Sequence, residues 1–160
     1  MATRSGSLDP GLVLWLEEHV RMPSSEMAAT LEHRSGLLGL AGSADMRVIL
    51  ARADTGDPGA CLALDVYVHR LRAGIAAMTA SMGGLDALVF TGGVGENAPT
   101  LRARACQDLA FLGVTLDPDR NGSGRADRAM GAANAPVRAL VIAAREDLQI
   151  AHEVRKVLQS

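Results

Sequence analysis

The chain has 160 residues, a formal net charge of −2 and aromatic residues at only 2% of its positions. A chain of this length buries a real core as one domain, but so few aromatics supply no stacking platform for single-stranded nucleic acid. No basic run exceeds two residues, and no apolar run approaches the ~20 residues of a transmembrane helix, so a nucleic-acid or membrane binder is excluded and the chain reads as soluble and cytoplasmic.

Asp9-Pro10 predicts a capped helix start, with Leu12, Leu16 and Val20 forming an apolar stripe behind it. Pro23-Ser24-Ser25-Glu26 ends that helix and opens a second, which runs to about Ser35-Gly36. Glycines interrupt the leucines of residues 37–43, which predicts a packed loop. A turn over residues 54–59 opens the longest helix. Its Leu64, Val68, Leu71, Ile75, Met78 and Met82 make one seam, serving an internal core or a subunit interface. Gly83-Gly84 ends it.

The run from Leu85 to Phe90 reads as a central strand, residues 91–97 as a loop, and Ala98-Pro99 as the start of a helix with Leu101, Ala105, Leu109 and Leu112 inward. Asn97 suits the N-cap of that helix. Residues 117–131 read as a polar surface excursion, residues 137–142 as a second strand, and the last helix carries Ile150, Val154, Val157 and Leu158 on one side. Strand and helix alternate, which predicts an α/β layered domain with two or more parallel strands and flanking helices. The organisation is a helical segment over residues 8–82 followed by β-α-β-α over residues 85–158. Two strands are few for a free-standing sheet.

Cys61 and Cys106 lack CxxC spacing and read as reduced thiols on apolar helix faces, and the four histidines lack metal-ligand spacing. Chemistry is concentrated in Phe90-Thr91-Gly92-Gly93-Val94-Gly95-Glu96-Asn97-Ala98-Pro99, where a strand runs through glycines into a helix. Glycines admit a ligand close to the backbone, and the carboxyl edge of an open sheet is where one is expected. The loop is not a Walker A motif, since no Gly-Lys-Ser/Thr follows and Lys156 is the only lysine; nor is it the dinucleotide fingerprint.

This run resembles the Gly-Gly-Ile-Gly-Glu-Asn signature of the acetate kinase family. Further segments match that family in order. They are Thr3-Arg4-Ser5-Gly6 with Asp9-Pro10, Ser35-Gly36-Leu37-Leu38-Gly39, Ser43-Ala44-Asp45-Met46-Arg47, residues 84–90, and Glu146-Asp147-Leu148 with Ile150-Ala151. The resemblance implies an incomplete C-terminal domain of the actin-like ATPase fold (sugar kinase, heat-shock ATPase, actin). In the intact enzyme it implies magnesium-dependent phosphoryl transfer from ATP to acetate, giving acetyl phosphate and ADP, in a cytoplasmic homodimer. By the same resemblance Arg4 stabilises the phosphoryl group in flight, and Asp45, Met46 and Arg47 meet the adenosine end of the nucleotide. Gly93, Val94, Gly95, Glu96 and Asn97 form a second nucleotide-binding segment, with Glu96 directed to the nucleoside, and Glu146 is linked to Mg2+. Ser7, Val94 and Arg145 depart from the family pattern, which has aspartate, isoleucine and a small or polar residue there.

The family's acetate pocket and His-x-Gly-x-Gly phosphate loop have no counterpart in these residues. The resemblance therefore implies a piece that meets ATP but does not turn over alone, with an unpaired sheet edge that favours self-association. Propionate and butyrate kinases share this half, so the acyl substrate stays open. The reading from a different class is a non-catalytic nucleotide-binding or dimerising module.

Overall fold

The computed structural model describes residues 2–124 and 126–159. They divide into two compact units, Met1–Leu71 and Arg72–Ser160, with the division inside one long helix.

The first unit is helical. Helix α1 (Pro10–Trp15) starts as predicted, with the Asp9 carboxylate accepting from the Gly11 N–H at 2.7 Å, and passes into a π-helical turn over Leu16–Val20. Its stripe is not core, because Leu12 and Val20 stay exposed and Leu16 is only half-buried. Helix α2 (Ser24–His33) buries only Met27. Helix α3 (Gly36–Ala41) corrects the loop expected over residues 37–43. Leucine and alanine favour helix strongly, Leu37 and Ala41 are buried, and Gly42 closes the turn in the left-handed region at φ 68°. Helix α4 (Met46–Asp54) buries Met46 and Ile49.

Helix α5 (Pro58–Met82) opens at Asp57, whose carboxylate accepts from the Ala60 N–H at 2.8 Å and from Arg52 at 2.9 Å. Leu64 and Val68 are buried as the seam predicts, but Met78 and Met82 are 58% and 65% exposed. The periodicity is right, and only the first half of its face is covered.

The second unit builds a three-stranded mixed sheet. Strand β1 (Ala87–Phe90) leads into α6 (Gly92–Asn97), α7 (Pro99–Gln107), a 3-10 turn over Ala110–Leu112 and α8 (Pro118–Gly122). Strands β2 (Arg128–Ala129) and β3 (Arg138–Val141) and helix α9 (Glu146–Gln159) follow. Strand order is β1-β3-β2. The β1–β3 pair is parallel from Ala87↔Arg138 to Phe90↔Val141, and β2 lies antiparallel on the other edge of β3. The two parallel strands are as expected, and β2 was hidden in the polar composition of residues 117–131. That segment also corrects the surface excursion, because Asn121, Met130 and Gly131 within it are buried. Of the loop expected over residues 91–97, Gly92–Asn97 is helical and only Thr91 stays extended, and Asn97 does not cap α7, whose N-cap is Ala98.

Leu101, Ala105 and Leu109 turn inward with Val114, Ala139 and Val141. On α9 the apolar side is formed as expected, yet every one of its described residues is exposed. Truncations should separate the two kinds of apolar residue. Leu101→Ala is expected to lose about 2–5 kcal/mol in chemical denaturation, as a core leucine does. Leu158→Ala is expected to stay within about 0.5 kcal/mol of the parent.

Candidate functional site

The parallel register ends β1 at Phe90 beside Val141 at the end of β3. The loops that follow the two strands therefore leave the sheet side by side at its carboxyl edge, where open α/β sheets receive ligands. After β1 the chain turns at Gly92, whose φ of 72° suits glycine, and winds into α6. Gly95 favours glycine for a different reason: a Cβ there would be crowded, 3.3 Å from the Phe90 carbonyl carbon. Gly93 is unlike both. It is exposed, its φ is ordinary, and a Cβ would meet nothing within 4 Å, so the fold itself makes no demand for glycine there.

Glu96 sits at the centre of this edge. Its Oε1 accepts from the Gly92 N–H at 2.9 Å and from the Ala144 N–H at 2.8 Å. One carboxylate oxygen thus closes the glycine turn on itself and ties it to the segment between β3 and α9. The negative charge also lies against the first N–H of α6, so that N-terminus is already neutralised by the chain's own acid. Asn97 turns back on α6, its Nδ2 donating to the Gly93 carbonyl at 2.8 Å, and leaves its side chain exposed. Val94 is half-buried.

Behind the turn stands a residue that sequence reasoning missed. Arg102 on α7 is 1% exposed. Its Nη1 donates to the Gly95 and Glu96 carbonyls, each at 2.8 Å, its Nε to Asn121 Oδ1 at 2.8 Å, and its Nη2 to the Asn121 carbonyl at 2.7 Å. Asn121 on α8 in turn donates to the Pro99 carbonyl at 2.9 Å. A buried guanidinium held by neutral oxygens depends on its full set of acceptors. Burial pushes its pKa below the ordinary arginine value. Its place was readable: Arg102 lies four residues after Ala98 and three before Ala105, on the inward face.

After β3, the N–H of Ala143 donates to Asp127 Oδ1 at 3.1 Å and Arg145 pairs with the same carboxylate. Asp127 and Glu96 thus accept from the consecutive backbone amides of Ala143 and Ala144, the latter two residues before Glu146. Asp127 holds a left-handed conformation at φ 66°. The Arg145 guanidinium, and after it the Ala143 N–H, keep its carboxyl below the usual aspartate range. Asp127 gave no signal in sequence, and Arg145 was noted only as a departure from the family pattern.

Glu146 begins α9 and is exposed. Among the described residues no hydrogen bond or ion pair engages its carboxylate, and no group of three His, Cys, Asp or Glu gathers to cage a metal. One free carboxylate suits Mg2+, which takes one or two carboxylates and fills its shell with water and phosphate oxygens.

The remaining predicted residues lie in the first unit. Arg4 is exposed, in a segment pinned by its backbone: the Ser5 N–H donates to Leu31, and Thr3 accepts from the Ser35 N–H, both at 2.9 Å. Asp45 caps α4, accepting from the Arg47 N–H at 2.9 Å, and it grips the Arg47 guanidinium through Nε at 3.0 Å and Nη2 at 2.5 Å. Arg47 is thereby fixed in orientation while its side chain stays 90% exposed. Met46 is 6% exposed, so its side chain belongs to the core. The structure brings Asp45 to Arg47 and the residue 92–97 turn to the residue 143–146 segment; no hydrogen bond or ion pair among the described residues joins Arg4 to Asp45 or Arg47.

A cleft of about 570 Å³ elsewhere in the second unit is lined by Pro99, Cys106, Val114, Thr115 and Asn121 among others, with no acid, histidine or basic residue. Burial pushes the Cys106 thiol up to about 11. This cleft offers no charged side chain to a phosphate or a metal.

A model of the acetokinase family matches residues 1–152. The chain belongs to the acetokinase family. An acetate kinase of Gloeobacter violaceus is 49% identical over 96% of this chain and 38% of its own length, and one of Leifsonia xyli is 47% identical over 96% and 39%. Among solved structures, Porphyromonas gingivalis acetate kinase matches 99% of this chain and 40% of its own at 35% identity and a TM-score of 0.89. A Francisella tularensis propionate kinase matches 96% and 39% at 37% identity with the same TM-score. The fold is thus part of the actin-like ATPase architecture. The chain spans about two fifths of the length of the curated relatives it matches.

Two outcomes are expected of this acetokinase-family site. Arg102→Met leaves four acceptors without their donor and is expected to lose about 3 kcal/mol or more in urea denaturation. Arg102→Lys recovers only part, because an ammonium cannot reproduce the fork. The second concerns Asp45, which the Arg47 side chain and N–H hold at about 2 against an ordinary 3.8. An acid with a depressed pKa stabilises the fold above its unfolded value and loses that contribution as pH falls through the folded value. Denaturation midpoints of the parent should therefore exceed those of Asp45→Ala above pH 3.8 and converge with them as pH falls to about 2.

Proposed function

We propose that this chain is the nucleotide-binding part of an acetate kinase, a phosphotransferase that moves a phosphoryl group from ATP to acetate. In that reaction the bond from the γ-phosphorus to the bridging oxygen breaks, a bond to an acetate carboxylate oxygen forms, and ADP and acetyl phosphate result. What carries the reading is the tie at the carboxyl edge, where after two parallel strands a glycine turn is fastened to the segment that leads into Glu146.

In the second unit, Gly93 leaves room for a ligand that the fold does not use, and Val94, Gly95 and Asn97 continue that surface toward the nucleoside. The side chain of Glu96 already serves two backbone donors, so its part in this surface is to hold the turn. Glu146 is the residue for magnesium, which, when bound, neutralises charge on the nucleotide phosphates. In the first unit, the oriented and exposed guanidinium of Arg47 suits stacking on a flat base, with Asp45 as its holder and Met46 contributing backbone alone. Arg4 is assigned to the transferred phosphoryl group, whose equatorial oxygens a guanidinium matches.

Acetate is the acyl substrate of the whole enzyme in this reading, by the names of the more similar relatives. A propionate kinase matches equally well in fold, so propionate is the competing substrate. A cytoplasmic homodimer completes the reading; the exposed Met78 and Met82 on α5 are the feature that favours a subunit contact. Among the described residues no helix is long and apolar enough to cross a membrane.

Binding rather than turnover is the test for a chain that spans two fifths of its relatives. Calorimetry is expected to show ADP and ATP binding strengthened by magnesium. Arg47→Ala should weaken it roughly 5-fold whether or not the metal is present. Glu146→Ala should abolish only the magnesium-dependent gain. A folded chain that binds neither nucleotide, or binds both equally with and without metal, would sink the reading.

A further inference from the structure

We propose that Glu96 is a positioning residue for Glu146, setting the carboxylate offered to magnesium by fixing the segment from which α9 starts; this rests on the nucleotide-site reading above. Glu96 lies in the middle of the family's glycine signature, where an acid would be read as a ligand contact. Its geometry assigns it another task. Oε1 accepts from Gly92 on its own turn and from Ala144 across the sheet edge, 48 residues away in the chain.

The Ala144 amide is two residues before Glu146. Its neighbour, the Ala143 amide, donates to Asp127. Two carboxylates on different segments thus seize consecutive N–H groups, which leaves that stretch little freedom to rotate. Hydrogen bonds to charged acceptors are the stronger kind. The first turn of α9, and with it the backbone that carries Glu146, then starts from a fixed place, although the helix is exposed. Arg102 completes the frame by gripping the carbonyls of Gly95 and Glu96 from the buried side, so the anchor itself is held. Without Glu96, α9 would start from a segment fastened at Asp127 alone, and the backbone that carries Glu146 would be less fixed.

The test is ADP calorimetry with and without magnesium on the full chain. Glu96→Ala is expected to lose the magnesium-dependent gain to within about twofold of Glu146→Ala, and the double variant to lose no more than either alone. Glu96→Gln retains most of the gain, because its amide oxygen still accepts. Ala144→Pro removes the donor while sparing the Gly92 bond. It should lose the gain while changing magnesium-free affinity by less than about twofold. A folded Glu96→Ala or Ala144→Pro variant with the gain intact would overturn the proposal, as would Glu96→Gln losing as much as Glu96→Ala. A parent chain that binds no ADP, or gains nothing from magnesium, overturns the site reading and the positioning role with it. The tie is decided separately by metal-free amide exchange. The Ala144 amide should exchange about tenfold faster in Glu96→Ala and unchanged in Glu146→Ala, and equal rates in all three proteins would refute the tie itself.

Discussion

Everything at the candidate site depends on four residue pairs, Ala87↔Arg138 through Phe90↔Val141, which lock β1 and β3 in parallel. Parallel pairing sends both strands out of the sheet at the same edge, and it requires a long excursion between them. Residues 91–137 are that excursion. A shift of one residue in the pairing would move every side chain of β3 to the opposite face, so the buried Ala139 and Val141 also specify the register. The fixed register then brings Glu96, six residues beyond β1, to Ala144, three beyond β3.

Once the strand ends are aligned, the site is held by charges that face neutral backbone as well as by ion pairs. Glu96 accepts from two amides, Asp127 from one amide and Arg145, and Arg102 gives to three backbone carbonyls and one side-chain amide. Isolated surface ion pairs hold little. A charge spread over several backbone partners fixes loops that have no apolar side chains to pack, which is what a glycine turn requires. Gly92 has a backbone that suits glycine and Gly95 is closely packed on Phe90, whereas the exposed Gly93 is under neither constraint.

The elements with strong periodic signals were legible. The α2, α5 and α7 helices, both parallel strands, the Asp9 cap and the glycine turn follow from capping, spacing and apolar runs. The misreadings share one cause, that local composition does not report what tertiary contacts cover. Glycines made residues 37–43 look like a loop, although Leu37 and Ala41 had a core to enter. Residues 117–131 looked like surface because their polar atoms are satisfied internally, Asn121 by Arg102 and Pro99. The glycine motif makes Glu96 legible but not its bond to the Ala144 amide, which lies 48 residues away and has no sequence signature.

The uncovered apolar surface has the same origin. Helix α9 and the far half of α5 carry the periodicity of packed helices, yet Leu148, Ile150, Val154, Met78 and Met82 are exposed. Periodicity of that kind is the pattern of a helix with one apolar face, and in this chain that face is uncovered. The relatives are more than twice as long as the region they share with this chain, and the shared region alone superimposes at a TM-score of 0.89. The geometry of the shared region is therefore set by its own sheet and hydrogen-bond ties, while the burial of these two helix faces is not. The candidate edge belongs to the first category. Its fixing groups lie within residues 87–146, which is why a candidate site can be read from a chain that spans only part of its relatives.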